Sequence, residues 1–121
     1  MIQILSRSKL EGQTMSLDVT LLKTMPIEVF KANITHNLCK MAEAAGIYKH
    51  LWRPDEIGIT KAGELISHLE DGLEYLENNP DYCKTFNPKN GWGTYEGLVK
   101  FVKEYLAACK ANPDAEIEIS R

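Results

Sequence analysis

"TYEGLVKFVKEYLAACKANPDAEIEISR", residues 94–121, contains both kinds of regular structure that define the fold. Its first part repeats apolar residues at intervals of three and four, which predicts an amphipathic helix over 94–112. At about 100° per residue the apolar side chains cover roughly half of the helix circumference, so we expect this helix to be buried between two neighbours. Pro113 ends it. The tail "AEIEISR" then alternates polar and apolar residues, which predicts a half-buried edge strand with an acidic outer face.

Two strands and two helices are predicted upstream of this stretch. The segments 16–23 and 27–34 alternate with period 2, as strands do. Apolar residues at helical spacing predict one helix over 34–45 and a second that begins at Thr60 and ends at 78–80. The order is strand, strand, three helices, strand. This order predicts an α+β fold in which three helices pack on a small antiparallel sheet that contains the N-terminal and C-terminal strands.

The length and composition fit a single folded domain. The 121 residues are 44% hydrophobic and 26% charged, which argues against a disordered chain. We assign residues 15–121 to one α+β domain, because regular patterning begins after Met15. We expect residues 1–14 to be a disordered extension with no role in the fold. The alternative is that "IQIL" within them forms an ordered first strand.

Charge and cysteine usage restrict the partners and the compartment. The net charge is −3 and the basic residues are scattered among the acids, so nucleic acid is not a predicted partner. No apolar run approaches the roughly 20 residues that span a bilayer, so a membrane is not predicted either. Three cysteines cannot all pair in disulfides within one chain, which favours a reducing, cytoplasmic compartment. The sequence leaves a homo-oligomer open.

Two predicted loops, 47–59 and 87–93, each place a tryptophan beside polar groups. For Trp92 we favour a structural role, in which the flanking glycines deliver the indole inward to plug the core between the second and third helices. One alternative is that Trp92 lines a pocket at a helix N-terminus, where free amides favour an anion, and another is that it belongs to a protein interface. We expect a mainly buried ring, with Asn87 and Asn90 carrying the recognition.

The segment "NITHN", residues 33–37, clusters polar side chains at a strand-to-helix junction. The structural interpretation is helix capping by Asn33 or Thr35, and the functional interpretation is one side of a binding site. His36 and Cys39 lie three residues apart, but no second ligand pair completes a metal site. We predict no metal, no cofactor and no catalytic residue. The candidate ligand-binding residues are Asn33, Thr35, His36, Asn37, Trp52, Arg53, Asn87, Asn90 and Trp92.

The leading functional hypothesis is a non-enzymatic binding protein. The sequence contains no G-x-S-x-G, Walker or H-E-x-x-H motif, and no G-x-G-x-x-G after a strand. Two tryptophans and several amide side chains can stack on, and hydrogen-bond to, a planar or anionic group. We therefore predict a small polar or anionic molecule, or a host protein, as the partner.

Two alternatives belong to other classes of protein. The first is a protein-interaction module that uses the acidic face of the second helix, between Glu64 and Glu77. Charged faces of this kind are usually only solvated. The second is a small enzyme with His36 as general base and with Asn37 or Asn90 orienting the substrate.

Three motifs carry a resemblance to a known group of proteins. The opening "NITHN", the turn "NPKNGWGTYEGL" and the closing "NPDAEIEISR" resemble a family of small proteins of phages and bacterial genomes to which no activity is assigned. The resemblance covers most of residues 31–121, and its members often have a longer segment where this chain has 24–32. It implies a phage- or prophage-type accessory protein.

Overall fold

The computed structural model describes residues 16–23 and 27–121. The expectation for residues 1–14, as an extension or as a strand, lies outside the described residues. The α+β class is confirmed, because a three-stranded antiparallel sheet contains both the first and the last described strand. The strands are β1 (Ser16–Lys23), β2 (Ile27–Thr35) and β3 (Glu116–Ser120), and the helices are α1 (Cys39–Ala44), α2 (Tyr48–Trp52), α3 (Ile66–Asn78), α4 (Pro80–Lys84) and α5 (Tyr95–Ala111).

The sheet has the order β2-β1-β3, so the central strand is the first one described. Val19 at its middle pairs with Ala32 of β2 and with Ile119 of β3. Leu17, Val19 and Leu21 alternate along one face and are completely buried. This alternation places the core on one side of the sheet. The prediction that the last strand pairs beside the first is confirmed, and among the described strands β3 lies at an edge, with an isolated bridge from Glu116 to Lys61.

Helix α5 lies between β2 and α3, as its wide apolar arc predicts. The Tyr105 ring on α5 stacks on Phe30 of β2, with ring centroids 5.8 Å apart. Phe101 and Leu98, one and two turns earlier on the same side of the helix, are also buried, and the Phe101 ring contacts that of Tyr105. Thr94 begins α5, because its hydroxyl oxygen accepts a hydrogen bond from the backbone N–H of Gly97 at 3.0 Å.

The first predicted helix is shorter than its hydrophobic spacing indicates. Ile34 and Thr35 belong to β2, residues His36–Leu38 form a 3₁₀ turn, and only Cys39–Ala44 are α-helical. Ile34 is buried by its position on the sheet, so an apolar residue there fits a strand as well as a helix. Thr35 caps the turn, as predicted, by accepting a hydrogen bond from the N–H of Asn37 at 3.2 Å.

The structure contains five α-helices in its described part, where three were predicted. The additional helix α2 lies in the predicted loop 47–59, and α4 lies between the predicted end of the second helix and the loop 87–93. The 3₁₀ turn Pro54–Ile57 also lies within 47–59, and the predicted second helix begins with a 3₁₀ turn at Ala62–Leu65. Each additional helix has only five residues, too few to show a periodic pattern. Prolines occupy the first position of α4 and of the turn at 54–57, where a missing N–H costs nothing.

The acidic face of the predicted second helix is partly neutralised in the fold. Glu70 of α3 pairs with Lys110 of α5 at 3.0 Å, and Glu77 pairs with Lys103 at 3.3 Å. Glu64 accepts a backbone hydrogen bond from the N–H of Thr60 at 2.8 Å, so a glutamate, rather than the Thr60 side chain, caps this start. No helix among residues 16–23 and 27–121 is both long and apolar enough to cross a membrane.

Candidate functional site

The strand-to-helix junction 33–37 and the loop 87–93 meet in the fold. The side-chain amide of Asn37 donates a hydrogen bond to the carbonyl oxygen of Trp92 at 3.2 Å. Gly93 packs so closely that a Cβ atom there would lie 2.7 Å from Thr35 Cγ2 and 3.0 Å from Leu38 Cγ. The two motifs that were candidates from the sequence therefore form one structural unit.

The Trp92 ring is exposed, and the prediction of a mainly buried plug is wrong. The residue is 63% exposed, although its backbone is fixed on both sides. The backbone N–H of Trp92 donates to the Asn90 side-chain oxygen at 2.9 Å, and its backbone carbonyl accepts a hydrogen bond from the Asn37 side chain. Gly91 and Gly93 have φ of 79° and 109°, so the chain turns on either side of the tryptophan. As a result Gly93, rather than the indole, faces the core.

Tyr95 occupies the position between α3 and α5 that was predicted for the tryptophan. It is partly buried against the core, and its hydroxyl donates a hydrogen bond to the Leu76 carbonyl at 2.7 Å. Asn87 supports this arrangement, because its side-chain oxygen accepts from the Tyr95 backbone N–H at 2.9 Å. That N–H belongs to the first turn of α5, so one amide that an anion would require is already occupied.

Trp52 is buried, unlike Trp92, and its polar group is satisfied within the protein. It is 2% exposed, and its indole N–H donates to His36 Nδ1 at 2.7 Å. The Tyr48 ring stacks on it with centroids 5.7 Å apart. Since Nδ1 accepts this bond, neutral His36 carries its proton on Nε2. Burial lowers the pKa of His36, and the Asp18 carboxylate opposes that effect.

Arg53 and Asn33 have partners away from the Trp92 loop. The Arg53 guanidinium donates to the Tyr48 hydroxyl at 3.0 Å and to Glu56 at 2.9 Å. Asn33 donates to Asp18 at 2.6 Å, and Asn33 is paired with that residue in the β1–β2 register. Neither residue points a free polar group at the indole of Trp92.

The nine predicted site residues therefore separate into three groups. Thr35, Asn37, Asn90 and Trp92 form a connected surface. Beside it, half-buried His36 is paired with buried Trp52, and Asn33, Arg53 and Asn87 make structural contacts around it. In the part of the chain that the structure describes, no group of three or more metal-ligating side chains converges.

Two concave regions that the sequence does not indicate lie elsewhere. One, of about 730 Å³, separates β3 from the segment 54–60. The other, of about 670 Å³, surrounds His50 and His68, whose rings stack with centroids 4.2 Å apart. The second histidine belongs to the polar stripe of the predicted second helix, but no local pattern pairs it with His50.

Exposed aromatic side chains also occur beside α1. Tyr82 is 53% exposed and meets Phe86 edge-on, with centroids 5.3 Å apart. These two rings line a shallow concavity of about 440 Å³ with Lys40 and Ala44 of α1. They were not among the predicted site residues, because "DYCKTF" carries no motif.

Comparison of this chain with protein-family models, with curated proteins and with solved structures finds no match. The resemblance to small phage and bacterial proteins therefore stays a prediction.

Proposed function

We propose that this protein is a non-enzymatic binding protein that recognises a partner protein through Trp92. The observation that carries the proposal is an exposed indole on a fixed backbone. The residue is 63% exposed, while its backbone N–H and its backbone carbonyl are both hydrogen-bonded. Because the backbone at Trp92 is already ordered, binding through this residue need not order it. Tryptophan is also among the residues that contribute most to protein interfaces.

Further aromatic rings support a partner larger than a metabolite. Asn37, Lys40 and Ala44 follow one another at helical spacing along one side of α1 and its preceding turn. Trp92 lies at the Asn37 end, and Tyr82 and Phe86 lie beside the other two. We call these three aromatic residues the Trp92 surface. Its extent along α1 suits a protein partner better than a small polar molecule.

The same geometry disfavours the other hypotheses. A small ligand needs free polar groups, but His36, Asn87 and Asn90 already accept hydrogen bonds from within the protein. For the same reason His36 Nδ1 is not available as a general base. Two glutamates on the acidic helix face are paired with lysines of α5. In the phage- or prophage-type setting that the resemblance suggests, the partner is a cytoplasmic host protein.

Affinity capture with matched variants tests this proposal. The tagged chain is incubated with bacterial lysate, and retained proteins are quantified by mass spectrometry for the unmodified protein, Trp92→Ala and Ile27→Ala. Ile27 is a suitable control because it is 57% exposed and lies at the end of β2 opposite the Trp92 loop. We expect a protein retained in stoichiometric amount by the unmodified chain and by Ile27→Ala, and lost with Trp92→Ala. Retention that Trp92→Ala leaves unchanged would contradict the proposal.

A parallel measurement addresses the competing ligand hypothesis. Tryptophan fluorescence is followed during a screen of polar and anionic metabolites. A metabolite that saturably quenches Trp92, with no protein captured, would favour a small-molecule binding protein instead.

A further inference from the structure

The chain has three histidines, and all of them hold the short helix α2 in place. His50 lies within α2 and stacks on His68 of α3. His36 follows β2 and accepts the indole N–H of Trp52, the last residue of α2. Imidazoles therefore contact this five-residue helix at His50 and at Trp52, beside the buried Leu51 side chain and a hydrogen bond from Arg121 to the Trp52 carbonyl at 3.1 Å.

The contact between His36 and Trp52 requires an unprotonated Nδ1. Protonation places a hydrogen on that atom, so the acceptor is lost and two N–H groups face each other at 2.7 Å. The indole N–H of a residue that is only 2% exposed then lacks its partner, which is unfavourable. Asp18 on β1 is the charged group that favours protonation of His36, and burial acts more strongly against it.

The contact between His50 and His68 opposes a proton on His50. The rings are 4.2 Å apart and inclined by 28°, so two imidazolium ions would repel each other at close range. Atom Nδ1 of His50 is buried without a hydrogen-bond partner among the described residues. Burial is the larger cause that lowers the pKa of His50, and the charge of His68 lowers it further. An interaction with the Gly46 backbone raises this pKa.

Other ionisable groups near His50 come from three elements. Glu43 belongs to α1, Tyr48 and Lys49 belong to α2, and Glu64 lies in the 3₁₀ turn that precedes α3. Glu64 is committed to the backbone N–H groups at 60 and 61, with distances of 2.8 and 3.2 Å. Its carboxylate therefore already has hydrogen-bond donors other than His50.

We propose that α2 is a pH-sensitive latch that is docked by neutral histidines and released when His36 and His50 are protonated. Release withdraws Trp52 from its buried position. It also separates His50 from His68 and so widens the cavity of about 670 Å³ between α2 and α3. The latch does not depend on the Trp92 surface or on any partner.

Fluorescence of a single tryptophan tests the latch. Trp92→Phe leaves Trp52 as the one indole, since the chain has 2 tryptophans. Emission is recorded between about pH 8 and pH 5, the range in which histidine titrates, with far-UV circular dichroism in parallel. We expect emission to shift to longer wavelength with a midpoint below 6.5, the ordinary histidine pKa, while the helical signal is largely kept.

Glutamine variants in the Trp92→Phe background separate the two contacts. In His36→Gln the glutamine side-chain oxygen can accept the hydrogen bond from the indole N–H of Trp52 but does not titrate. His50→Gln removes the positive charge that protonation would place beside His68. We expect each single variant to reduce the transition and the double variant His36→Gln/His50→Gln to abolish it. An unchanged transition in the double variant, or no transition in a folded Trp92→Phe protein, would overturn the proposal.

Nuclear magnetic resonance of the unmodified chain gives a second, mutation-independent measurement. The indole N–H resonance of Trp52 reports its hydrogen bond to His36 directly. We expect this resonance to move with the same midpoint as the fluorescence. A Trp52 resonance that is constant over this pH range would overturn the latch even if the variants failed to fold.

Discussion

The side-chain amide of Asn37 lies 3.2 Å from the carbonyl oxygen of Trp92, and it joins residues 55 positions apart in the sequence. This bond connects the end of β2 to the turn that leads into α5. Close packing of Gly93 on Thr35 and Leu38 strengthens the same connection. The polar groups of both motifs therefore organise the backbone and leave the indole of Trp92 exposed.

Alanine at Gly93 should destabilise the protein more than alanine at Gly91. Both glycines have positive φ, so either change introduces backbone strain of about 1–2 kcal/mol. Only at Gly93 does the new Cβ meet other atoms, 2.7 Å from Thr35 Cγ2. We expect an additional cost of about 1–3 kcal/mol in the free energy of unfolding. Urea denaturation of the two variants measures the difference, and equal midpoints would show that the loop does not pack on the junction.

Trp92→Ala should leave stability nearly unchanged. The ring is 63% exposed, so its removal creates no internal cavity. We expect a cost below about 1 kcal/mol, as for other surface substitutions. Thermal unfolding followed by circular dichroism measures it. A large drop in the melting temperature would mean that the indole is buried in solution.

Trp52→Phe should be clearly destabilising, in contrast to Trp92→Phe. Phenylalanine keeps an aromatic ring beside Tyr48 but has no N–H to donate to His36. We expect a loss of about 1–3 kcal/mol, the usual cost of leaving a buried polar partner unpaired. Chemical denaturation of both variants provides the comparison, with Trp92→Phe as control. Equal stability of the two variants would argue against the His36–Trp52 bond.

Stability should increase with pH in the range below 6.5. The pKa values of His36 and His50 are lowered in the folded protein by burial, so the unfolded chain binds more protons between those values and 6.5. This stabilisation is complete above the pKa of histidine in the unfolded chain. It is lost as the pH falls through the lower pKa values of the two histidines in the folded protein. Urea midpoints at about pH 7.5, 6.5 and 5.5 should fall in that order. The variant His36→Gln/His50→Gln should flatten the dependence, and an unchanged slope would contradict this assignment.

The cysteines should react with alkylating reagents in an order set by burial. Burial raises the pKa of Cys109 to about 12 and also raises the pKa of Cys83, and both residues are buried. Cys39 is only half-buried, although burial raises its pKa as well. Because the thiolate is the reactive form, we expect Cys39 to be alkylated first and the other two only after unfolding. Mass spectrometry of timed samples shows the order, and early modification of Cys109 would contradict the packing of α5.

The sequence by itself determined the elements whose residues repeat over several turns or strand positions. Leu69 and Leu76 on α3, and Leu98 and Tyr105 on α5, are buried as their spacing predicts. Alternation likewise located the three strands of the described residues, and the predicted start of the third helix at 94 agrees with Thr94 as the cap of α5. Such patterns are readable because each residue has the same neighbours within its own element whatever the rest of the chain does.

The tertiary structure alone decided which tryptophan is buried. Trp52 and Trp92 both lie in short segments rich in polar residues, and neither belongs to a periodic pattern. Trp52 is buried because His36, 16 residues earlier, supplies an acceptor for its indole N–H. Trp92 is exposed because Tyr95 fills the space beside Leu76 and Gly93 occupies the contact with the junction. Both outcomes depend on contacts between residues distant in sequence, which local composition cannot specify.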